Sequence, residues 1–294
     1  MIIITHTDAD GLSSAALVAD YFDEDVIVQP IDYNGAFRFE HVLEDLVELV
    51  SETPIWILDF ALDDPGRVED LAYLADAQDC HIVWHDHHQW DDDLVADLEA
   101  AGVDLRLDED ECTASLVRDE IRLRDYDAHL EDLAECTKDI DLWIKDDPRS
   151  ERLNVFASLV DDPWEYIDVV LEHGPDLPDD IQERIDERLE RDRDLEESAI
   201  ENRTAYDVGG YSVAITYVRG GRSSQIGNDL VEELSHDIAV ICKPHGGVGI
   251  YAHSTARPSL GATRSPPSWV AAGILRLRAA KSRPRASGSL PHTG

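Results

Sequence analysis

The chain has 294 residues, 43% of them apolar, with 64 Asp and Glu against 25 Lys and Arg and a formal net charge of −39. Such a length accommodates two compact domains, since domains run to ~100–200 residues. The apolar residues fall in periodic segments, which excludes a disordered acidic chain, and the first 237 residues lack the basic track that a long duplex would demand. Dense carboxylates with only four lysines, Lys138, Lys145, Lys243 and Lys281, suit a cytoplasm at multimolar salt, where screening removes their mutual repulsion.

Met1 runs directly into Ile2–Ile4 with no basic leader, and no run reaches the ~20 apolar residues of a membrane span. A cytoplasmic protein of a halophile is the expectation. Cys80, Cys112, Cys136 and Cys242 form no CxxC pair, so reduced, structural cysteines are expected rather than a zinc site.

Strands and helices alternate from the start: Ile2–Thr5 then Leu12–Tyr21, Val26–Ile31 then Phe39–Val50, Ile55–Asp59 then Arg67–Ala77, His81–Trp84 then Leu94–Ala100, and Val103–Leu107. β-Branched runs followed by amphipathic segments predict parallel βαβ units in a doubly wound α/β sheet. From Cys112 to about His173 the apolar spacing is helical and completes a first domain, 1–173. Residues 174–208 open on Gly174-Pro175 and are densely charged, which reads as a helical linker. Strand, helix and two further strands over Tyr211–Val218, Gln225–Leu234, Ile238–Cys242 and Val248–His253 make a smaller α/β domain within 209–294. No acidic residue follows Asp237, and seven basic residues stand between Arg257 and Arg285.

In so acidic a chain a lone Asp-x-Asp is a solvated surface charge by default, so position decides. Asp8 and Asp10 follow the first strand, Asp59 ends the third, and Asp86-His87-His88 ends the fourth. Ligands of a parallel α/β sheet bind beyond the carboxyl ends of its strands, where these residues converge. Carboxylate and imidazole together suit Mn²⁺, with Mg²⁺ as the harder alternative. Two such ions sharing a carboxylate activate water and clamp a phosphoryl oxygen.

With these motifs in this order the sequence resembles the DHH phosphoesterase family, whose triad stands here as Asp86-His87-His88. His6-Thr7-Asp8-Ala9-Asp10-Gly11 resembles the first motif of its RecJ-like and archaeal members, and Trp56–Phe60 the second. The resemblance implies two divalent metals, with Asp8 on one, Asp10 and His87 on the other, and Asp59 bridging. His6 would join the ligands, its spacing of two from Asp8 being the RecJ-like one. His88 would face the scissile phosphate and Asp86 would orient the histidines. The fourth motif is an Asp near an aromatic; Asp139 and Asp141 before Trp143 both qualify, and Asp139 is favoured.

Arg222–Asn228 and Val248–Ser254 resemble the family's first type of associated domain, which grips substrate, so Arg222, Ser223 and His253 join Arg149 as candidate substrate contacts. His253 stands where an Arg is usual. That domain ordinarily ends in a Gly-Gly-Gly-Gly-His-Pro-x-Ala-Ala-Gly stretch, absent here. Reading Ser268–Ala279 from the third base of each codon permits it, so the segment after about 255 is expected to be a frame-shifted translation.

The resemblance implies hydrolysis of phosphodiester bonds in short oligonucleotides or single-stranded nucleic acid; a homodimer is compatible with the sequence. The alternatives are a non-catalytic replication-associated scaffold and an inorganic pyrophosphatase of the same superfamily.

Overall fold

The computed structural model describes residues 1–22, 25–31, 38–62, 64–121 and 128–252. The chain divides into two compact units, Met1–Asp194 and Leu195–Gly294.

The first unit is built on a five-stranded sheet in the order β2-β1-β3-β4-β5, with β1 Ile2–His6, β2 Ile27–Ile31, β3 Ile55–Leu58, β4 Ile82–Asp86 and β5 Asp104–Leu107. Every neighbouring pair is parallel. Side chains alternate across a strand. Ile3, Trp56, Leu58 and Val83 therefore pack on one face, against α1 Ala9–Phe22, α5 Thr113–Ile121, α6 Ala128–Asp141, α7 Pro148–Ala157 and α8 Pro163–His173. Ile2, Ile4, Ile55, Ile57, Ile82 and Trp84 pack on the other, against α2 Phe39–Leu49, α3 Val68–Asp76 and α4 Asp92–Ala100. Covered on both faces, these strands read as continuous apolar runs rather than alternating ones.

Local chemistry starts the helices. Asp91, Asp147 and Asp162 each cap a helix by accepting a backbone N–H of its first turn, and Pro148 and Pro163 follow two of them at the position where a missing N–H costs nothing. α1 begins at Ala9, earlier than the expected Leu12, which puts Asp10 in its first turn.

Residues 174–208 are more than a linker. They form α9, Asp179–Glu201, which buries Ile181, Ile185 and Ala199, and the strand β6, Thr204–Val208. The boundary between the units falls inside α9. β6 pairs antiparallel with β7 Tyr211–Tyr217 through Gly209 and Gly210, both at positive φ, the conformation that a two-residue hairpin turn requires. That dipeptide marks a hairpin, not a domain boundary.

The second unit carries a four-stranded sheet in the order β6-β7-β8-β9, with β8 Ile238–Cys242 parallel to β7 and β9 Val248–Ala252 antiparallel to β8. α10, Ser223–Asn228, and the π-helical turn Asp229–Glu233 replace the longer helix expected there; Ile226, Leu230 and Val231 close a small core with Ala214, Ala239 and Ile241. Among the described residues no helix is long and apolar enough to cross a membrane. His253 and the segment expected to be frame-shifted lie outside the described residues.

Candidate metal centre

The strand order reverses at β1, because β2 lies on one side of it and β3 on the other. In sheets of this kind the crevice beyond the carboxyl ends of the strands, at such a switch point, is where ligands bind. β1 delivers His6, Asp8 and Asp10 there, β3 delivers Asp59, and β4 delivers Asp86, His87 and His88.

The turn after β1 is held tightly. Thr5 Oγ1 donates to the Gly11 carbonyl at 2.6 Å, and the Gly11 N–H donates to Asp8 Oδ1 at 3.0 Å. A Cβ on Gly11 would sit 2.4 Å from the His6 carbonyl oxygen, so only glycine lets α1 leave the strand this closely. Asp10, 1% exposed, accepts the Thr113 N–H at 2.7 Å and the Ala114 N–H at 2.8 Å. The amino end of α5 thus supplies two unpaired amides and a positive dipole to this carboxylate.

Asp59 follows the last residue of β3 with φ +57°, a left-handed conformation that non-glycine residues rarely adopt. Strain of this kind persists where the surroundings enforce it, commonly at functional sites. Here the Asp59 N–H donates to the His85 carbonyl at 3.0 Å, and Thr113 Oγ1 donates to Asp59 Oδ1 at 3.3 Å.

The imidazoles close in on these carboxylates. His6 Nδ1 is 2.8 Å from Asp8 Oδ2 and 3.5 Å from Asp59 Oδ2. His87 Nε2 is 3.3 Å from Asp141 Oδ2, 3.5 Å from Asp59 Oδ1 and 3.8 Å from Asp10 Oδ2. Asp86, fully buried, holds His88 Nδ1 at 2.7 Å and accepts Trp90 Nε1–H at 2.7 Å. Its carboxylate therefore orients His88, where both histidines were expected to be its partners.

Three donor sets result: His6, Asp8 and Asp59; Asp10, His87 and Asp141; and Asp59, His87 and His88. Within each, the ligand atoms lie within 4.8 Å of one another. Asp59 belongs to two of them. The residues fit divalent cations by a further observation: Asp59 Oδ2 and Asp141 Oδ2 are buried and accept no hydrogen bond. Buried carboxylate oxygens without donors are unstable unless a cation or proton supplies the charge. The set is oxygen and imidazole nitrogen; nearby Cys112 is buried against Ser115, with its thiol pushed up by burial and by Asp10.

The ionisation pattern shows the same deficit of positive charge. Burial disfavours charge on His6, yet the Asp59 and Asp8 carboxylates beside it raise its pKa to about 11. His87, likewise opposed by burial, is raised to about 10 by Asp59, Asp141 and Asp10. Burial and the neighbouring Asp59 push Asp8 and Asp10 upward, and burial with the Asp59 charge brings Asp141 to about 7. Asp59 alone is held far below the usual carboxylate range, where His6 and His87 overcome its burial. In the metal-free protein, protons stand where cations would.

The structure separates the two candidates of the helical motif. Asp141 reaches His87. Asp139 points away, accepting the Asp146 N–H at 2.8 Å and Ser150 Oγ–H at 2.6 Å, so the preference for Asp139 gives way to Asp141. Arg149 forms ion pairs with Asp132, Asp147 and Asp176, and Arg222 clasps Glu196 through Nε and Nη2. Ser223 begins α10. Thr113, which touches Asp10 and Asp59, was not singled out in the sequence; Cys112-Thr113-Ala114-Ser115 at the start of a helical pattern is the N-terminus that could have drawn attention to it.

No family model and no curated protein matches the chain. Among solved structures it is similar to an uncharacterized protein from Helicobacter pylori G27, at 16% identity over 86% of this chain and 85% of that one, with a TM-score of 0.39. It is similar to exonuclease RecJ bound to manganese, at 12% identity over 86% and 78%, with a TM-score of 0.49. A third is RecJ from Thermus thermophilus in complex with Mn²⁺, at 13% identity over 86% and 45%, with a TM-score of 0.47.

Proposed function

We propose that the first unit is a two-metal phosphoesterase of the DHH type that hydrolyses phosphodiester bonds in short, single-stranded nucleic acid. The observation that carries this reading is Asp59: a buried, strained carboxylate shared between two sets of metal donors at the switch point of a parallel sheet. Two divalent cations, Mn²⁺ before Mg²⁺ for this donor set, would supply a nucleophilic water at neutral pH and neutralise the phosphoryl charge.

The chain's own residues divide the work. His6 and Asp8 hold one side of the bridge, Asp10, His87 and Asp141 the other, and Asp59 joins them. α5 keeps Asp10 in place through two amides, so its carboxylate needs no rearrangement on binding. His88 is gripped at Nδ1 by Asp86, and that hydrogen bond raises its pKa and aims the ring at the place of a phosphate. A chain of net charge −39 favours short substrates, since each added phosphate would meet more repulsion than attraction.

The test is hydrolysis at high KCl with Mn²⁺, offering a five-nucleotide RNA, a cyclic dinucleotide, a long single strand and pyrophosphate. The short RNA is the expected best substrate, and Asp59→Asn should lower its turnover by at least about a thousandfold, the scale on which such electrostatic groups act, with little change in melting temperature. Hydrolysis of pyrophosphate alone would replace this reading with the pyrophosphatase one; wild-type turnover by Asp59→Asn would remove the bridge from the mechanism.

A further inference from the structure

Asp141 sits where a side chain is hard to hold still. It is the last residue of α6, where the helix's carbonyls run out of partners and turns fray. The chain that follows is awkward as well: Trp143 and Lys145 have φ of +59° and +60°, and the Lys145 ammonium lies 3.5 Å over the Trp143 ring. Yet Asp141 Oδ2 is buried 3.3 Å from His87 Nε2.

What holds this turn is Asp139. Residues two apart on a helix point to different sides, and while Asp141 faces the donor set, Asp139 faces the start of α7. Its carboxylate accepts the Asp146 N–H and the Ser150 hydroxyl. Its carbonyl accepts the Ile144 N–H at 2.8 Å and the Lys145 N–H at 3.3 Å. Four hydrogen bonds to one residue thus tie the last turn of α6 to Ile144, the left-handed Lys145, Asp146 and the first turn of α7. Asp139 is 7% exposed and Ser150 1%, so water does not replace these bonds readily.

We propose that Asp139 is the positioning residue of the metal site formed by Asp10, His87 and Asp141. This rests on the metal-centre reading above. Asp139 acts through Asp141: it fixes where the helix stops, and thereby sets the carboxylate against His87 without touching the ion. The site of His6, Asp8 and Asp59 does not depend on it.

Mn²⁺ titration of the full chain, followed by calorimetry and by the electron-spin signal of bound Mn²⁺, tests this without any assay of turnover. Wild type should bind two ions. Asp139→Ala should weaken one of them by at least tenfold and leave the other within twofold, and Asp141→Asn should weaken the same ion. Asp139→Asn should restore most of the affinity, because its amide oxygen still accepts from the Asp146 N–H and its amide nitrogen donates to Ser150 Oγ. Ser150→Ala, which keeps the Asp139–Asp146 bond, covers the case that Asp139→Ala does not fold, and should weaken the same ion about threefold.

Two ions bound by Asp139→Ala with wild-type affinity would overturn the proposal, as would equal weakening of both. A wild type that binds two ions but hydrolyses none of the four probes would sink the hydrolase reading and leave this one standing. A wild type that binds no Mn²⁺ would overturn both.

Discussion

In the first sheet Ile3, Trp56 and Val83 lie beneath one layer of helices while Ile2, Ile57 and Trp84 lie beneath another, so neither face meets water. In the second sheet Ala214, Ala239 and Ile241 pack with residues of α10, of the turn after it and of the end of α9, whereas among the described residues the opposite face carries Tyr206, Ile215, Tyr217, Val248 and Ile250, all exposed. The difference follows from connectivity. Parallel neighbours require a crossover, and successive crossovers lay helices on both faces. A sheet that starts with the Gly209-Gly210 hairpin gains no helix from that connection, and its core forms on one side with α10, the turn after it and the end of α9. The candidate metal donors, which must be fixed to within an ångström, lie at the end of the doubly covered sheet.

The sharpest way to break this comparison is to remove one aromatic from each sheet. Trp84 is fully buried, packs against Phe39 and Trp90, and donates its indole N–H to the Phe60 carbonyl. Trp84→Ala should destabilise the first unit by ~3–5 kcal/mol. Tyr217, 53% exposed, has little to lose, and Tyr217→Ala should change stability by no more than ~0.5 kcal/mol. Urea unfolding at high KCl measures both. A large loss for Tyr217→Ala would mean that the second sheet's open face is covered in solution, and the contrast would fail.

The same contrast explains what could be read in the sequence. Strands buried on both faces announce themselves as apolar runs, and the residues just past their ends, Asp8, Asp10, Asp59 and His87, could be placed together from the order of elements alone. The choice between Asp139 and Asp141 could not be made that way. Both sit on one helical turn, and which of them faces the cluster depends on how α6 is rotated against α1 and α5, a property of packing rather than of local pattern. β6 was hidden for a different reason. Thr204–Val208 follows a densely charged helix, and the Gly-Gly dipeptide serves equally as a boundary and as a hairpin turn; only the pairing partner decides. Thr113 could be noticed only as the start of a helical pattern, because its role depends on the Asp10 carboxylate arriving at the amino end of its helix.

Charge divides the units as burial does. Residues 1–194 hold 56 of the acidic residues against 14 basic ones, whereas residues 195–294 hold 8 against 11. Self-repulsion is thus concentrated in the first unit, and salt should relieve it there. Between about 0.1 M and about 1 M KCl the Debye length falls from about 10 to about 3 Å, so the melting transition of the first unit should rise by several degrees. Trp56, Trp84, Trp90, Trp143 and Trp164, all but one of the tryptophans, lie in that unit, so indole fluorescence reports chiefly its melting. A transition that does not move with salt would count against the halophile expectation and against charge as a difference between the units.

The smallest effect, and the most specific to the site, is the coupling of Mn²⁺ to pH. Among the described residues the candidate donor sets all belong to the first unit. His6 and His87 have folded-state pKa values raised to about 11 and about 10 from 6.5, so their stabilisation of the metal-free protein is complete below pH 6.5 and is lost as pH rises through those values. Asp141, raised from 3.8 to about 7, contributes in the same sense: its stabilisation is complete below 3.8 and gone above about 7. The metal-free first unit should therefore lose stability from these groups as pH climbs from about 6 to about 8, the window where Asp141 finishes titrating and the two histidines begin to lose their advantage. Mn²⁺ displaces those protons, so its binding should release protons and its stabilising effect should grow over the same window. Melting with and without Mn²⁺ at pH about 6 and about 8 gives the comparison: the Mn²⁺-induced rise in the first unit's transition should be a few degrees larger at the higher pH, and the second unit's transition should not move with Mn²⁺ at either. An equal rise at both pH values would show that the ions do not compete with these protons, and a rise in the second unit would place the binding elsewhere.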